Sequence, residues 1–321
     1  MEIREAVLNS EKSAVRTFLA AYGLRYDDDI DYTVYIVENG SIIATASAYK
    51  DIIKAVAVSH KCRGENLVGR LISHLIIYFN RKSIYRYKLY TKPENRAVFK
   101  NLNFREVAST DLVTLMESKN KGIRDVLSEL KDKYQLPPVA SAALVMNCNP
   151  FTEGHRYLIK TAAAHYPAVL VFIVEEDKSL FSFSERFILA QKGTEDLTNV
   201  YVLPSTEYLV SAFTFPDYFL KQTTPLTEEE AALDALIFKK YFVATFNIVK
   251  RYLGSETDPV TLKYNAALKN ILGDMITVIP RLKVDGTAVS ASLVRKFYEA
   301  RDFPRIKRLV PKTTLEYLKN R

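Results

Sequence analysis

Ala142-Ala143-Leu144-Val145-Met146 runs straight into Asn147-Cys148-Asn149-Pro150-Phe151-Thr152-Glu153-Gly154-His155, and a helical spacing of apolar residues follows. An apolar run that ends in a polar, proline-containing turn before a helix has the layout of a phosphate site at a strand-to-helix junction. Such a turn aims backbone N–H groups and the positive end of the helix dipole at an anion. Gly154 removes the side chain that would keep a triphosphate away. Thr152 and His155 lie three apart on the first helical turn, so a hydroxyl and an imidazole face the same ligand. On these residues alone, a plain turn and helix cap with His155 on a solvated face is an equally good account.

A distant stretch, Gly286-Thr287-Ala288-Val289-Ser290-Ala291-Ser292-Leu293-Val294-Arg295, reads as a loop feeding another helix. Two hydroxyls and a guanidinium on its opening turns suit the outer phosphates, because arginine offers a fixed fork of donors. Alone, Ser-x-Ser is an N-cap. Together the two stretches resemble the nucleotidylyltransferase superfamily, whose (His/Thr)-x-Gly-His turn and Ile-Ser-x-Ser-x-x-Arg loop bind ATP; Val289 stands in place of the isoleucine. The resemblance implies catalytic roles for Thr152, His155 and Arg295 and ATP contacts from Asn147, Asn149, Phe151, Gly154, Ser290 and Ser292. It also implies Mg²⁺, with no metal ligand assigned and Glu175, Glu176 and Asp177 left open. One triphosphate can touch both stretches only if His155 and Ser292 fold to within about 15 Å of each other.

The chain has 321 residues, enough for two domains with separate cores. Lys and Arg number 45 against 37 Asp and Glu, a net +8 that suits anionic partners such as nucleotides, a phosphorylated carrier or an acidic protein. The basic residues are dispersed along the chain, which argues against nucleic acid. The two cysteines, Cys62 and Cys148, belong to no Cys-x-x-Cys or Cys/His cluster, so neither a disulfide framework nor a structural zinc site is expected. No apolar run approaches about 18 residues, and the N-terminus is charged from Glu2 onward, so a cytoplasmic protein is expected and membrane spanning is not.

The first third alternates strand and helix signals. Helical spacing covers Ser13 to Tyr22. Tyr32 to Val37 and Ser41 to Tyr49 read as strands joined at Glu38-Asn39-Gly40, followed by a strand from Ile52 to Val58 and a helix from Leu67 to Phe79. A strand at Tyr87 to Tyr90, a helix near Asn95 to Leu102 and a strand from Phe104 to Leu115 complete it. This order, with Glu94-Asn95-Arg96-Ala97-Val98-Phe99-Lys100-Asn101-Leu102-Asn103-Phe104 near its end, resembles the GNAT acetyltransferase fold. GNAT enzymes wrap the acetyl-CoA pyrophosphate with an Arg/Gln-x-x-Gly-x-Gly/Ala segment; here the run from Arg63 through Gly64 carries Asn66 and Val68 where the small residues would stand. Arg63, Gly64 and Asn66 are the candidates for holding a CoA-like arm, and docking such an arm, or a protein, is expected in preference to acetyl transfer. Cys62 reads as a small half-buried residue, since no partner base is identifiable beside it.

The expected division is a GNAT-like α+β domain over 1–117, a connecting helix over 118–138 and a Rossmann-like nucleotidylyltransferase domain over 139–321. The last is expected to hold a mostly parallel, doubly wound sheet, making the whole chain α/β. Its strands are read at Ser141 to Met146, Ala168 to Val174, Asn199 to Leu203, Ile248 to Leu253 and Met275 to Ile279. The helices between them include one opened by Ser184 and one capped by Thr227 that runs through Phe242. Phe213, Phe215, Tyr218 and Phe219 form an aromatic cluster suited to a core or lid. Switch-point logic puts both phosphate stretches at the carboxyl ends of strands.

Asn149-Pro150-Phe151-Thr152-x-Gly154-His155-Arg156-Tyr157-Leu158, Leu180-Phe181-Ser182-Phe183-Ser184-Glu185-Arg186-Phe187, Phe215-Pro216-Asp217-Tyr218-Phe219-Leu220-Lys221 and Ile279-Pro280-Arg281 together resemble the citrate lyase ligase family, over essentially the whole chain. The resemblance implies ATP-dependent adenylation of acetate to acetyl-AMP with release of pyrophosphate. The acetyl group then passes to the thiol of the phosphoribosyl dephospho-CoA group on the citrate lyase acyl carrier subunit. Two other readings are a free-standing adenylyltransferase acting on pantetheine phosphate or a mononucleotide, and a GNAT-type acyltransferase with a nucleotide-binding rear domain.

Overall fold

The strand patterns of Tyr32–Glu38 and Ser41–Tyr49 close around Asn39 and Gly40, whose φ angles are 49° and 77°. Two successive positive φ values make a tight hairpin turn whose twist matches the paired strands. The computed structural model describes residues 1–62, 64–175, 179–209 and 226–321, with the backbone alone at Leu226 and Thr227. The expected features at Arg63, Glu176, Asp177, Phe213, Phe215, Tyr218, Phe219 and the Thr227 side chain lie outside the described residues. The described chain divides into two compact units, one from Met1–Ile123 and residues 226–229, the other from residues 124–209 and Glu230–Arg321.

The first unit holds a seven-stranded sheet of β1 (Glu2–Glu5), β2 (Tyr32–Glu38), β3 (Ser41–Tyr49), β4 (Ile52–Val58), β5 (Lys88–Thr91), β6 (Phe104–Ser109) and β7 (Thr114–Ser118). The strand order is β1-β2-β3-β4-β5-β7-β6, with only β4 and β5 parallel. Alternate side chains of β2 feed two cores. Val34 and Ile36 meet α2 (Leu67–Arg81) through Leu71, Ile72, Leu75 and Phe79, while Tyr35 lies with Val15 and Leu19 of α1 (Asn9–Ala21). Each fully buried side chain of this kind contributes roughly 1.5–3 kcal/mol. A short α3 (Arg96–Asn101) adds Phe99 to the α2 core. The strand expected from Phe104 to Leu115 is instead the hairpin β6–β7, because the Thr110 hydroxyl accepts the Val113 N–H at 3.0 Å and turns the chain. Strand β1 was not anticipated; it is only four residues long and mostly exposed, so it carries no apolar pattern.

The second unit opens within α4 (Ile123–Lys133), from Arg124 on, followed by β8 (Ser141–Met146), α5 (Glu153–Ala163), β9 (Ala168–Ile173), α6 (Phe183–Gly193) and β10 (Val200–Pro204). Helix α7 (Leu226–Ile237) runs on through a π turn, Phe238–Phe242, into α8 (Val243–Phe246), so the helix expected to stop at Phe242 is one turn longer. Then come β11 (Ile248–Gly254), α9 (Pro259–Leu272), β12 (Ile276–Ile279), the hairpin β13 (Lys283–Val284) and β14 (Thr287–Ala288), α10 (Ala291–Glu299), α11 (Phe303–Ile306) and α12 (Lys312–Asn320). The five long strands are all parallel in the order β10-β9-β8-β11-β12. Connections run to one side of β8 and then resume on the other at β11. The crevice beyond the carboxyl ends of β8 and β11 is therefore the switch point of the sheet, where ligands bind in folds of this type.

Behind β11, Arg251 pairs with Asp234 of α7 at 3.2 Å, and each side chain is 2% exposed. The Tyr264 hydroxyl donates to the same carboxylate at 2.9 Å, and the guanidinium lies 4.4 Å above the Phe238 ring in the π turn. Removing one member of such a pair strands a buried charge. Asp234→Ala is expected to lower stability by about 3–5 kcal/mol in urea unfolding, while Asp28→Ala, at an exposed pair with Arg16, leaves the midpoint in place.

Candidate active site

Thr152 is the N-cap of α5: its Oγ1 accepts the His155 N–H at 3.3 Å, and its own N–H donates to His155 Nδ1 at 3.0 Å. This is a reciprocal capping box in which an imidazole does what a glutamate usually does. The tautomer follows, because a neutral ring that accepts at Nδ1 carries its proton on Nε2. Burial, with the positive charge of Arg281 adding to it, pulls the His155 pKa down to about 4. His155 is thus an uncharged donor at neutral pH, with Nε2–H as its remaining polar group. Beneath it lies Phe151, fully buried and stacked on the imidazole at 5.8 Å. The Phe151 side chain braces the ring from within the core and presents no surface to a ligand.

The remainder of the first turn is held from below by Arg186, an unassigned residue of α6 that is 0% exposed. Its guanidinium donates to Asn147 O at 2.8 Å, Asn147 Oδ1 at 2.9 Å, Val174 O at 2.7 Å and Phe181 O at 3.0 Å. It thereby gathers the turns after β8 and β9 into one rim. Asn149 Oδ1 accepts the Phe181 N–H at 3.2 Å, so both asparagines spend their side-chain oxygens on fixing this rim. Cys148 holds a φ of 53° within it, and burial pushes its thiol well above the ordinary range, which removes it as a nucleophile.

The second stretch arrives on the hairpin β13–β14, whose Asp285 and Gly286 have φ of 50° and 77°. Asp-Gly is a strong signal for such a turn. A Cβ added to Gly154 would stand 3.2 Å from Val289 O and 3.5 Å from Val289 Cγ1. The glycine therefore admits the second stretch itself, in addition to any ligand. Arg295 completes the join: it donates to Asn149 O at 2.5 Å and to Ser292 Oγ at 3.1 Å. Ser290 caps α10 by accepting the Leu293 N–H at 3.2 Å, which leaves its hydroxyl proton to donate. Thr152, Gly154, His155, Asn149, Ser290, Ser292 and Arg295 thus converge at the carboxyl edge of the sheet, while Glu175 and Lys160 are exposed. Among the described residues no cluster of three His, Cys, Asp or Glu side chains is suited to a metal ion. With no such cluster among the described residues of this donor-rich edge, a magnesium ion suits it as one carried in on phosphate oxygens and water.

The first unit has its own cavity, of about 1040 Å³, where β4 and β5 part after pairing only at Ile52/Lys88 and Ile53/Leu89. Ala55, at φ 52°, bends β4 away. Gly64 and Asn66 line it with Val58, Val68, Thr91 and Val98. Asn66 adopts φ 55°, the left-handed conformation that glycine usually supplies, and its amide lies against Gly69 where a methyl group would collide with it. Cys62 is buried beside the cavity, and burial raises its thiol.

A parallel, doubly wound sheet with two polar turns fused at its carboxyl edge defines the second unit as a nucleotidylyltransferase-type α/β fold, joined in this chain to a GNAT-like α+β unit. The citrate lyase ligase C-terminal domain matches residues 141–318. The [citrate [pro-3S]-lyase] ligase of Haemophilus influenzae is 33% identical over 95% of this chain and 94% of its own length, and that of Escherichia coli 32% over 97% and 91%. The chain belongs to the citrate lyase ligase family. Among solved structures, Escherichia coli ElaA aligns with 37% of the chain and 99% of its own, at 16% identity and a TM-score of 0.32. No helix among the described residues is long and apolar enough to cross a membrane.

The imidazole environment predicts a titration out of the ordinary. In ¹⁵N-resolved NMR of the ligand-free protein, His155 is expected as the Nε2–H tautomer down to about pH 5, with its midpoint near 4. His155 thus stays neutral in the folded chain while the unfolded chain takes up a proton near its ordinary pKa, so its contribution to stability diminishes as pH falls from 6.5 toward 4. A midpoint at or above 6.5 would contradict the capping arrangement.

Proposed function

We propose that the protein is an ATP-dependent acid–thiol ligase of the cytoplasm that activates acetate and acetylates the thiol of the CoA-like prosthetic group on the citrate lyase acyl carrier subunit. The reading is carried by Arg295, one guanidinium that bonds both Ser292 and the Asn149 carbonyl, so that a single polyphosphate tail meets both turns. Family membership supplies the reaction class.

In this scheme an acetate oxygen attacks the α-phosphorus of ATP, the bond to the β-phosphate oxygen breaks, and pyrophosphate leaves. Thr152 and the Nε2–H of His155 hold the α-phosphate as charge builds on it, and Ser290, Ser292 and Arg295 hold the departing phosphates. Donors already fixed in place cost little reorganisation when charge develops, the largest common source of rate enhancement. A neutral histidine is suited to this work: it donates without first giving up a proton, and its Nδ1 bond to Thr152 keeps the ring in place. Mg²⁺ would offset phosphate charge. Acetyl-AMP then reacts with the carrier thiol: sulfur bonds to the carbonyl carbon, AMP leaves, and the thiol proton passes to solvent. The cavity of the first unit, with Asn66 and Gly64 at its rim, receives the CoA-like arm.

Acetate-dependent exchange of labelled pyrophosphate into ATP measures the first half-reaction by itself. Arg295→Ala and His155→Ala are each expected to reduce it by about 10²–10³-fold. Exchange that needs pantetheine phosphate or a mononucleotide in place of acetate would favour a stand-alone adenylyltransferase. Val98→Trp, which narrows the front cavity, is expected to raise KM for the carrier at least roughly fivefold while leaving the exchange rate intact; an equal loss in both assays would remove the first unit from carrier recognition.

A further inference from the structure

Arg281 lies next to the second turn; the stretch Ile279-Pro280-Arg281 enters the family resemblance without a role for its arginine. Arg281 follows β12 after a single proline, and the hairpin β13–β14 pairs Lys283 with Ala288 and Val284 with Thr287. The Val289 N–H donates to Leu282 O at 2.9 Å, which extends the ladder by one step, with Arg281 and Ser290 the next residues along the two segments. The parallel register brings it to the same edge as the first turn: Gly254 is level with Ile279, and Arg251 with Ala143 three residues before Met146. The ends of β8, β11 and β12 therefore share one rim. Arg281 is fastened there by three groups of the turn after β11. Its N–H donates to Ser255 Oγ at 3.1 Å, its Nε to Ser255 O at 2.9 Å, and its Nη2 to the Glu256 carboxylate. Its charge reaches far enough to help hold His155 neutral.

The Arg281 side chain is 29% exposed and that of Glu256 22%, so both ions keep contact with solvent. A partly exposed ion pair is readily exchanged for a better partner, since its Coulomb gain is screened and its desolvation incomplete. A phosphate chain entering along Ser290 and Arg295 brings several negative charges to the same guanidinium. Glu256 would then be a like charge beside the ligand.

We propose that Arg281 is a further anion-binding residue of the nucleotide site and that Glu256 is its resident counter-ion, displaced from the guanidinium when phosphate oxygens arrive. This rests on the reading of the edge as an ATP site. Arg281 contributes a positive charge that Nε and backbone bonds to Ser255 keep in position. Glu256 satisfies that charge in the empty site and sets a threshold, so that only a polyanion strong enough to replace a carboxylate binds well.

The two residues should act in opposite directions, which no scaffolding role would produce. Calorimetric titration of the full-length protein with ATP and with inorganic pyrophosphate tests this on the unaltered chain and on Arg281→Gln, Arg281→Lys and Glu256→Gln, with thermal melts to confirm folding. Arg281→Gln is expected to weaken both ligands more than tenfold, Arg281→Lys less, and Glu256→Gln to tighten both by threefold or more. Glu256→Gln is nearly isosteric, so its outcome stands even if Arg281→Gln does not fold. Glu256→Gln weakening the ligands, or affinities within twofold across the set, would overturn the proposal. The control is Arg295→Gln: affinity that drops there but is indifferent to position 281 sinks this inference alone, while an unaltered protein that binds neither ligand sinks the ATP reading as well.

Discussion

The bond from Arg295 to the Asn149 carbonyl joins residues 146 positions apart, and the candidate site exists because that join is made. Two constraints converge on it. Gly154 has no side chain, so Val289 can come up against the start of α5. The hairpin at Asp285 and Gly286 then delivers α10 with its N-terminus beside the first turn. Neither helix N-terminus alone would be more than an ordinary cap. Joined, they give one rim with hydroxyls, an uncharged imidazole N–H and a guanidinium, built on the switch point of a fully parallel sheet.

The rim is rigid because its supports are buried. Arg186 draws together carbonyls from the turns after β8 and β9, and a guanidinium suits that task because its donors point outward in a fixed plane. The imidazole of His155 accepts the Thr152 N–H, the His155 backbone N–H donates in return to the Thr152 hydroxyl, and Phe151 fills the space below. Partial burial of the histidine therefore has a chemical consequence: the ring is kept from taking a second proton, which would convert Nδ1 from acceptor to donor and break the cap. The first unit follows a different logic, in which a cleft opens because two parallel strands separate after two paired positions and a left-handed alanine bends one of them.

Much of this was legible in the chain. Strand β8 and the start of α5 fall where the apolar run and the Thr-x-x-His spacing put them, and Ser290 is the cap its position suggested. What sequence reasoning missed has physical reasons. Arg186 stood in a stretch quoted for the family resemblance with no role of its own, although Ser182 and Glu185 form a capping box that places it on the first turn of α6, beside the strand ends. The role of Gly154 as a seat for Val289 depends on a contact made across much of the chain. Phe151 sits inside a motif otherwise made of polar contacts, and only its burial reveals a different duty. The turn at Thr110 was masked by apolar residues on either side, so two short strands read as one long one.

Gly193 closes α6 on the far side of Phe151, and a methyl group there would run into the phenyl ring. Arg156, on the same helix as His155, donates to the Gly193 carbonyl and forms an ion pair with Asp196. Position 193 is thus the fulcrum of a lever: crowding it would tilt an aromatic ring, the ring would tilt the imidazole, and a chemically silent spot on another helix would detune the donor at the rim. Tolerance to drift should accordingly be lowest where the chain has no side chain at all.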